Sequence, residues 1–369
     1  MSAMLRFVAG VPSVRLPAGG SIPTPSLKGR GGLEIAASAS SPDADVIILT
    51  MHRVEDSLAA IASALAQTGG SRHVHILDQG STAAELDRLA AAVRGRTDAS
   101  LYQAERNLGV AEGRNVLSAL GRGRVIVALD NDAVFADPGT LARMVGALDA
   151  EPDLAAIGCR IVADATGTDD LSSWGYPVSL LARSTGRFDT VTFVGAGHAI
   201  RRTAWDAAGG YDPALFFCWE EYDFCLRAIA RGWRIAYRGD LVIRHKVAPE
   251  QRQAWSDRRW FHFVRNRLYI ERKHGASWPA LLPRIGGYLL KGRRHGLLRP
   301  TLEAILAAAR METRAIPLPP AALDYLARHD RVHRGSWRDR WRAEVLARLA
   351  PHPSRSRISS GMIAGPSSR

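Results

Sequence analysis

Apolar and polar positions along the first half of the chain switch repeatedly between two periods. Val46-Ile-Ile-Leu-Thr50 is a short continuous apolar run and reads as a buried strand. Leu58, Ile61, Ala62 and Leu65 follow at helical spacing, with Glu55 and Asp56 in the first turn and Gly69-Gly70 as the stop. His73-Val-His-Ile-Leu77 is a second strand that ends in Asp78-Gln79-Gly80-Ser81, and Ala83 to Val93 is a second helix. A third strand, Ser100 to Gln103, leads through the loop Glu105 to Val110 into a helix from Ala111 to Leu120. A fourth, Val125 to Leu129, runs straight into Asp130-Asn131-Asp132, and Asp137-Pro138 opens another helix with proline at its first position.

This alternation predicts an α/β fold with a mostly parallel sheet and helices on both faces. Ligands of such sheets lie outside the carboxyl ends of the strands. Those ends carry Thr50-Met51-His52-Arg53, Asp78 and Asp130/Asp132, so the three clusters are expected on one rim. A dinucleotide fold is disfavoured, because Thr50-Met51-His52-Arg53 stands where a glycine-rich turn would cradle a pyrophosphate.

The second half is less regular. Val191 to Val194 reads as a strand before Gly195-Ala196-Gly197, Thr203 to Ala208 as a short helix, and Phe216 to Phe224 as the entry to a helix ending near Gly232. A strand Leu241 to Ile243 closes at Arg244-His245. Helices are expected over 255–274, 278–292, 299–311 and 337–349. Four regions follow: a Pro/Gly/Ser-rich stretch 1–43 without periodicity, expected to lack order; a domain over 44–250; a basic helical region over 251–349; and a second unordered stretch over 350–369.

Charge sharpens that division. The net charge is +13, and residues 244–349 alone hold 23 Lys/Arg against 9 Asp/Glu, so the remainder is near neutral. An anionic partner or a plainly solvated surface would each account for this. No apolar run reaches the roughly 18 residues that span a bilayer, and no secretory leader is read at the start. Cys159, Cys218 and Cys225 fit no zinc or redox spacing, which points to a reducing, cytoplasmic setting.

The chemistry centres on Asp130-Asn131-Asp132. Two carboxylates one residue apart at a strand end can address one hard cation, Mg²⁺ or Mn²⁺, shared with a substrate phosphate. Asp and Asn also cap turns, and local chemistry leaves both readings open. Two further acidic or basic elements follow in order: Glu220-Glu221-Tyr222-Asp223 and His245.

Taken with Asn107-Leu-Gly-Val-Ala-Glu-Gly-Arg-Asn115, Gly195-Ala196-Gly197, Gly209-Gly210-Tyr211-Asp212 and Arg227, this order resembles the family-two inverting glycosyltransferases of the GT-A fold, including rhamnosyl- and galactofuranosyltransferase-like members. The resemblance covers residues 45 to 246. It implies a GT-A fold with a C-terminal helical extension, and an enzyme that moves a sugar from a nucleotide-diphosphate donor to a glycan or glycolipid hydroxyl in polysaccharide or glycolipid assembly. It implies nucleotide-sugar contacts from Thr50, Arg53, Asp78, Arg114, Asn115, Asp130, Asn131, Gly195, Gly197 and Trp219. It implies a divalent metal, Mn²⁺ before Mg²⁺, on Asp132 with Asp130 and His245. The family's base position falls on Glu221, where an aspartate is usual, and Glu220 and Asp223 are the substitutes. The mixed aromatic and cationic residues of 251–349 imply an anionic membrane surface at the inner face of the membrane, with no nucleic acid expected. An inactive nucleotide-sugar-binding module and a metal-dependent sugar-phosphate nucleotidyltransferase stand as alternatives.

Overall fold

The computed structural model describes residues 4–7, 14–15, 41–246 and 255–336 of the 369-residue chain. The helix expected over 337–349 and the stretch 350–369 lie outside the described residues, as does most of 1–43. Within the last of these, two short strands, β1 (Met4–Phe7) and β2 (Val14–Arg15), extend the edge of the main sheet.

The parallel heart of the sheet is β3 (Ala44–Thr50), β4 (Arg72–Asp78), β5 (Ala99–Ala104) and β6 (Val125–Leu129), in the order β5-β4-β3-β6. The helices between them are α1 (Val54–Leu65), α2 (Ala83–Val93) and α3 (Gly109–Leu120). Thr50 lies opposite Asp78 in the ladder, so the first two strand ends are level. Val46, Ile48, Val74, Ile76 and Val127 are buried under α1 and α2, while Ile47, Leu77 and Ile126 are buried under α3. Strands covered on both faces tend to be continuous apolar runs, as Val46–Leu49 and Val125–Leu129 are; β4 departs from this at His75, which is buried with its Nε2 3.4 Å from Asp45 Oδ1.

Beyond β6 the sheet becomes mixed. β7 (Ala133–Phe135), helix α4 (Thr140–Ala150) and the ten-residue strand β8 (Leu154–Ala163) come first. β9 (Arg187–Thr190), β10 (Gly197–Arg201), α5 (Arg202–Ala208), α6 (Glu220–Ile229) and β11 (Arg234–His245) complete the domain. β10 inserts antiparallel between β6 and β8, pairing Gly197 with Leu129. The strand expected over Val191 to Val194 is not one. That segment keeps a strand-like burial pattern but pairs with no strand among the described residues, and Phe193 packs on the His198 ring at 4.3 Å. The strand expected at Leu241 to Ile243 is the end of the longer β11. The helix expected at Asp137-Pro138 starts at Thr140, since the Asp137 carboxylate first caps the Gly139 N–H and the Thr140 hydroxyl.

Of the C-terminal helices, α7 (Asp257–Lys273), α8 (Trp278–Arg294) and α9 (Leu298–Arg310) follow their expected spans closely, and a further helix, α10 (Pro320–His329), was not expected. α7, α8 and α9 share a small core around Trp260, Leu268, Leu281 and Ala304, whereas α10 packs on the sheet domain. They are also tied to the sheet domain through Tyr269, Ile270, Tyr325 and Leu326. Among the described residues, no helix is long and apolar enough to cross a membrane.

Candidate active site

The carboxyl ends of β3, β4 and β6 and the start of β10 meet at one rim, as parallel topology dictates. Asp78 is fully buried and accepts the Ser81 N–H at 3.2 Å, while Thr50 Oγ1 lies 2.6 Å from Ser57 Oγ. After Thr50 the backbone turns left-handed at His52 (φ 57°) and Arg53 (φ 51°). That turn brings the Arg53 side chain back across the rim, where Nη1 donates to Asp132 Oδ2 at 2.8 Å and Nη2 to Asp56 Oδ2 at 2.8 Å.

The acidic triplet divides its labour. Asp130 Oδ1 accepts from Arg114 Nη2 at 2.7 Å, and Asn131 Nδ2 donates to Ser57 Oγ at 3.3 Å. Asp132 is buried, with Oδ1 3.2 Å from His245 Nε2 at the end of β11. The other ring nitrogen, Nδ1, lies 3.1 Å from Asp170 Oδ2.

Arg114, buried on α3, joins the triplet to the acidic helix. Its Nη1 donates to Glu221 Oε1 at 3.1 Å and its Nη2 to the Gly195 carbonyl at 2.9 Å. A Cβ at position 195 would fall 2.5 Å from Glu221 Oε1, so glycine is what gives the longer Glu side chain its room. Burial raises the Glu221 pKa above the ordinary carboxylate value, against the opposing pull of the Arg114 guanidinium. Glu220 is pushed up further, by burial and then by the negative charge of Glu221. Its Oε2 is buried and has no hydrogen-bond partner among the described residues. We read the pair as holding its proton on Glu220, leaving Glu221 beside Arg114 as the ionised member.

Asp223 faces elsewhere. It is fully buried and accepts from Arg227 Nε at 2.8 Å and from Lys273 Nζ of α7 at 3.0 Å. Although burial opposes it, the positive charge of Arg227 and Lys273, with His274, holds its pKa below the usual carboxylate range. Three other sequence candidates are likewise taken up by the protein itself. Asn115 exchanges hydrogen bonds with the Tyr211 backbone at 2.8 and 2.9 Å. Trp219 Nε1 donates to the Phe263 carbonyl at 3.0 Å beneath the Arg267 guanidinium, 4.9 Å from its ring. Gly197 lies within the β10 ladder against Ile243.

Two residues at the site carry no signal in the sequence. Asp170 follows an unremarkable Thr-Gly-Thr-Asp run. Asn266 sits in α7, fully buried, and its Nδ2 lies 2.8 Å from the carbonyls of Leu215, Phe217 and Cys218. Those carbonyls belong to the loop that opens α6, where Phe216, Cys218 and Trp219 all have positive φ (60°, 73° and 72°). Each such residue costs on the order of 1–3 kcal/mol and persists only where surroundings hold it. On the other side, Gly109 (φ 79°) brings α3 so close that a Cβ there would meet the Phe216 carbonyl at 2.4 Å.

Among the described residues, no group of three or more His, Cys, Asp or Glu is arranged to hold a metal ion. Asp132 and His245 do present an oxygen and an imidazole side by side, with the Arg53 cation already on that carboxylate. Two protein donors suit an ion that takes its remaining ligands from a substrate diphosphate and water.

Comparison with known proteins points to a glycosyltransferase. Residues 45–208 match the family described as Glycosyl transferase family 2. The likeness is to a glycosyl transferase family 2 domain and takes in somewhat less than half of the chain. Its span includes the rim from Thr50 to Gly197 and stops before Glu220 and His245. Among solved structures, the chain resembles the mannosyltransferase PcManGT from Pyrobaculum calidifontis, solved with GDP-Man and Mn²⁺, at 21% identity and TM-score 0.53, covering 83% of this chain and 86% of that one. It also resembles GalNAc-T7 with UDP, GalNAc and Mn²⁺, at 15% identity and TM-score 0.54, covering 72% of this chain and 55% of that one, so it spans about half the length of that protein. Both likenesses establish the GT-A fold of the family 2 domain and its flanks. No curated protein matches the sequence. The domain supports sugar transfer as the chemistry of the site.

Proposed function

We propose that the protein is an inverting glycosyltransferase. It moves a sugar from a nucleoside-diphosphate donor to a hydroxyl of a glycan or glycolipid acceptor, in polysaccharide or glycolipid assembly. The observation that carries this reading is Arg114, which ties Asp130 on the strand-end triplet to Glu221 on the acidic helix. A donor-side carboxylate and an acceptor-side carboxylate are thereby held across one rim.

Glu221 is the general base. Its carboxylate takes the proton of the acceptor hydroxyl while that oxygen attacks the anomeric carbon from the face opposite the diphosphate. The bond from that carbon to the diphosphate oxygen breaks, its electron pair leaves with the diphosphate, and the anomeric configuration inverts. Thr50, Asp78 and Arg53 face the nucleoside, and the Gly195 backbone lets the donor sugar approach. Asp132 and His245 would hold a divalent ion, Mn²⁺ or Mg²⁺, whose chemistry when bound is to neutralise the leaving diphosphate. Calorimetry against UDP, dTDP and GDP, with and without Mn²⁺, tests the reading. Micromolar binding of one nucleotide only with the ion is expected and would name the donor class. A folded protein that binds none of them would favour an inactive module.

The acceptor side of the proposal is an anionic membrane surface. α9 exposes Leu298, Leu302 and Leu306 at intervals of one helical turn, and α8 exposes Leu282 and Leu290. Residues 278–310 carry six Lys/Arg and one acidic residue, Glu303. Exposed leucines among cations fit headgroups with acyl chains beneath them. Co-flotation with phosphatidylglycerol vesicles and not with phosphatidylcholine vesicles is expected, and L302E/L306E should abolish it. Equal absence from both vesicle types would refute the membrane surface.

A further inference from the structure

His245 is bracketed. Its side chain is wholly buried, with Asp170 Oδ2 3.1 Å from Nδ1 and Asp132 Oδ1 3.2 Å from Nε2. Asp170 is itself buried and fixed as an acceptor. Its Oδ1 takes the Ser172 N–H at 3.0 Å and the Ser172 hydroxyl at 2.5 Å, and its Oδ2 takes the Ser173 hydroxyl at 2.7 Å. Its backbone N–H is anchored on the Ile161 carbonyl of β8 at 3.0 Å. These contacts hold the carboxylate facing the His245 ring.

An imidazole that donates Nδ1–H to one carboxylate has its Nε2 lone pair free for a cation next to the other. We propose that Asp170 is the positioning residue that fixes His245 as the Nδ1–H tautomer, making Nε2 a ligand for the divalent ion shared with the donor diphosphate. The inference rests on the proposed transferase reading and deepens it. Asp170 touches neither donor nor ion; it acts through the ring.

The test is Asp170→Asn, which keeps size and the serine contacts but can offer an N–H to Nδ1. The ring then protonates on Nε2, and the lone pair toward the ion is lost. Mn²⁺ titration followed by electron paramagnetic resonance, with saturating nucleoside diphosphate, should show affinity weakened about 10–100-fold. H245Q should weaken it comparably, and the double variant no further. Mn²⁺ affinity unchanged in D170N while reduced in H245Q would overturn the proposal and leave the transferase reading standing. A wild type that takes up no Mn²⁺ would overturn both. Should D170N fail to fold, long-range ¹H–¹⁵N spectra of wild type loaded with Zn²⁺ and nucleoside diphosphate decide. A proton on His245 Nδ1 alone is expected, and a proton on Nε2 would overturn the proposal.

Discussion

Asp132→Ala should abolish metal-dependent nucleoside-diphosphate binding while leaving the protein folded. Its carboxylate faces both a histidine ligand candidate and the Arg53 cation. Oδ1 lies 3.2 Å from His245 Nε2 and Oδ2 accepts from Arg53 Nη1 at 2.8 Å. Removing it leaves one imidazole, too little for a hard ion that favours oxygen donors. The fold should survive, because the Arg53 side chain is 42% exposed and keeps its second partner, Asp56. The expected loss is at least about 100-fold in Kd with Mn²⁺ present, equivalent to about 2.7 kcal/mol. Asp132→Asn should behave alike, since it keeps shape and removes charge. Calorimetry reads the loss and thermal melting the fold. Near wild-type binding with Mn²⁺ in Asp132→Ala would disprove the assignment of this carboxylate to the ion.

Glu221→Gln should leave donor binding intact and lower kcat by about 10²–10⁴-fold, the range that a positioned base supplies. The amide keeps the reach to Arg114 but cannot take the acceptor's proton. The pH profile carries the sign. A base works when ionised, and burial places the Glu221 pKa above the ordinary 4.5. Activity of the wild type should therefore rise through an acid limb that lies above pH 4.5, and this limb should be absent from the residual rate of the variant. Glu220→Gln is the control, because an amide imitates the protonated acid that Glu220 is held to be. It should cost far less. A full rate in E221Q, or an equal collapse in E220Q, would move the base elsewhere on α6.

The parallel half of the fold was legible because strands covered on both faces must be apolar runs, and helices between them must show a stripe. Val46 to Thr50 and Val125 to Leu129 obey that rule, and His73 to Leu77 obeys it at Val74, Ile76 and Leu77. Their shared direction was enough to place Thr50, Asp78 and Asp132 on one rim. β8 was not read, since its Ala-Ala-Ile-Gly-Cys stretch is made of small residues that suit helix and strand alike. Val191 to Val194 was misread because burial alternates there without a ladder. The same limit hid Asp170 and Asn266. Each acts only after distant segments meet: β8 with β11 for the first, and α7 with the loop before α6 for the second. Glu221, by contrast, stood out through its neighbours, while the reason that a glutamate fits there lies in Gly195, 26 positions earlier in the chain.

The clamp from α7 has a bearing on how such a protein can be recombined. The loop from Phe216 to Trp219 is held from one side by the α3 backbone and from the other by Asn266, and it aims the first turn of α6. The sheet domain and the C-terminal helices are therefore not interchangeable modules with a seam at residue 250. A chimera that replaced everything after β11 would surrender the Asn266 contacts and Lys273 on Asp223 together. It would keep the rim of Thr50, Asp78 and Asp132 and lose the support that holds the α6 entry loop. Grafts meant to change the acceptor should instead carry α6, its entry loop and α7 as one inherited unit.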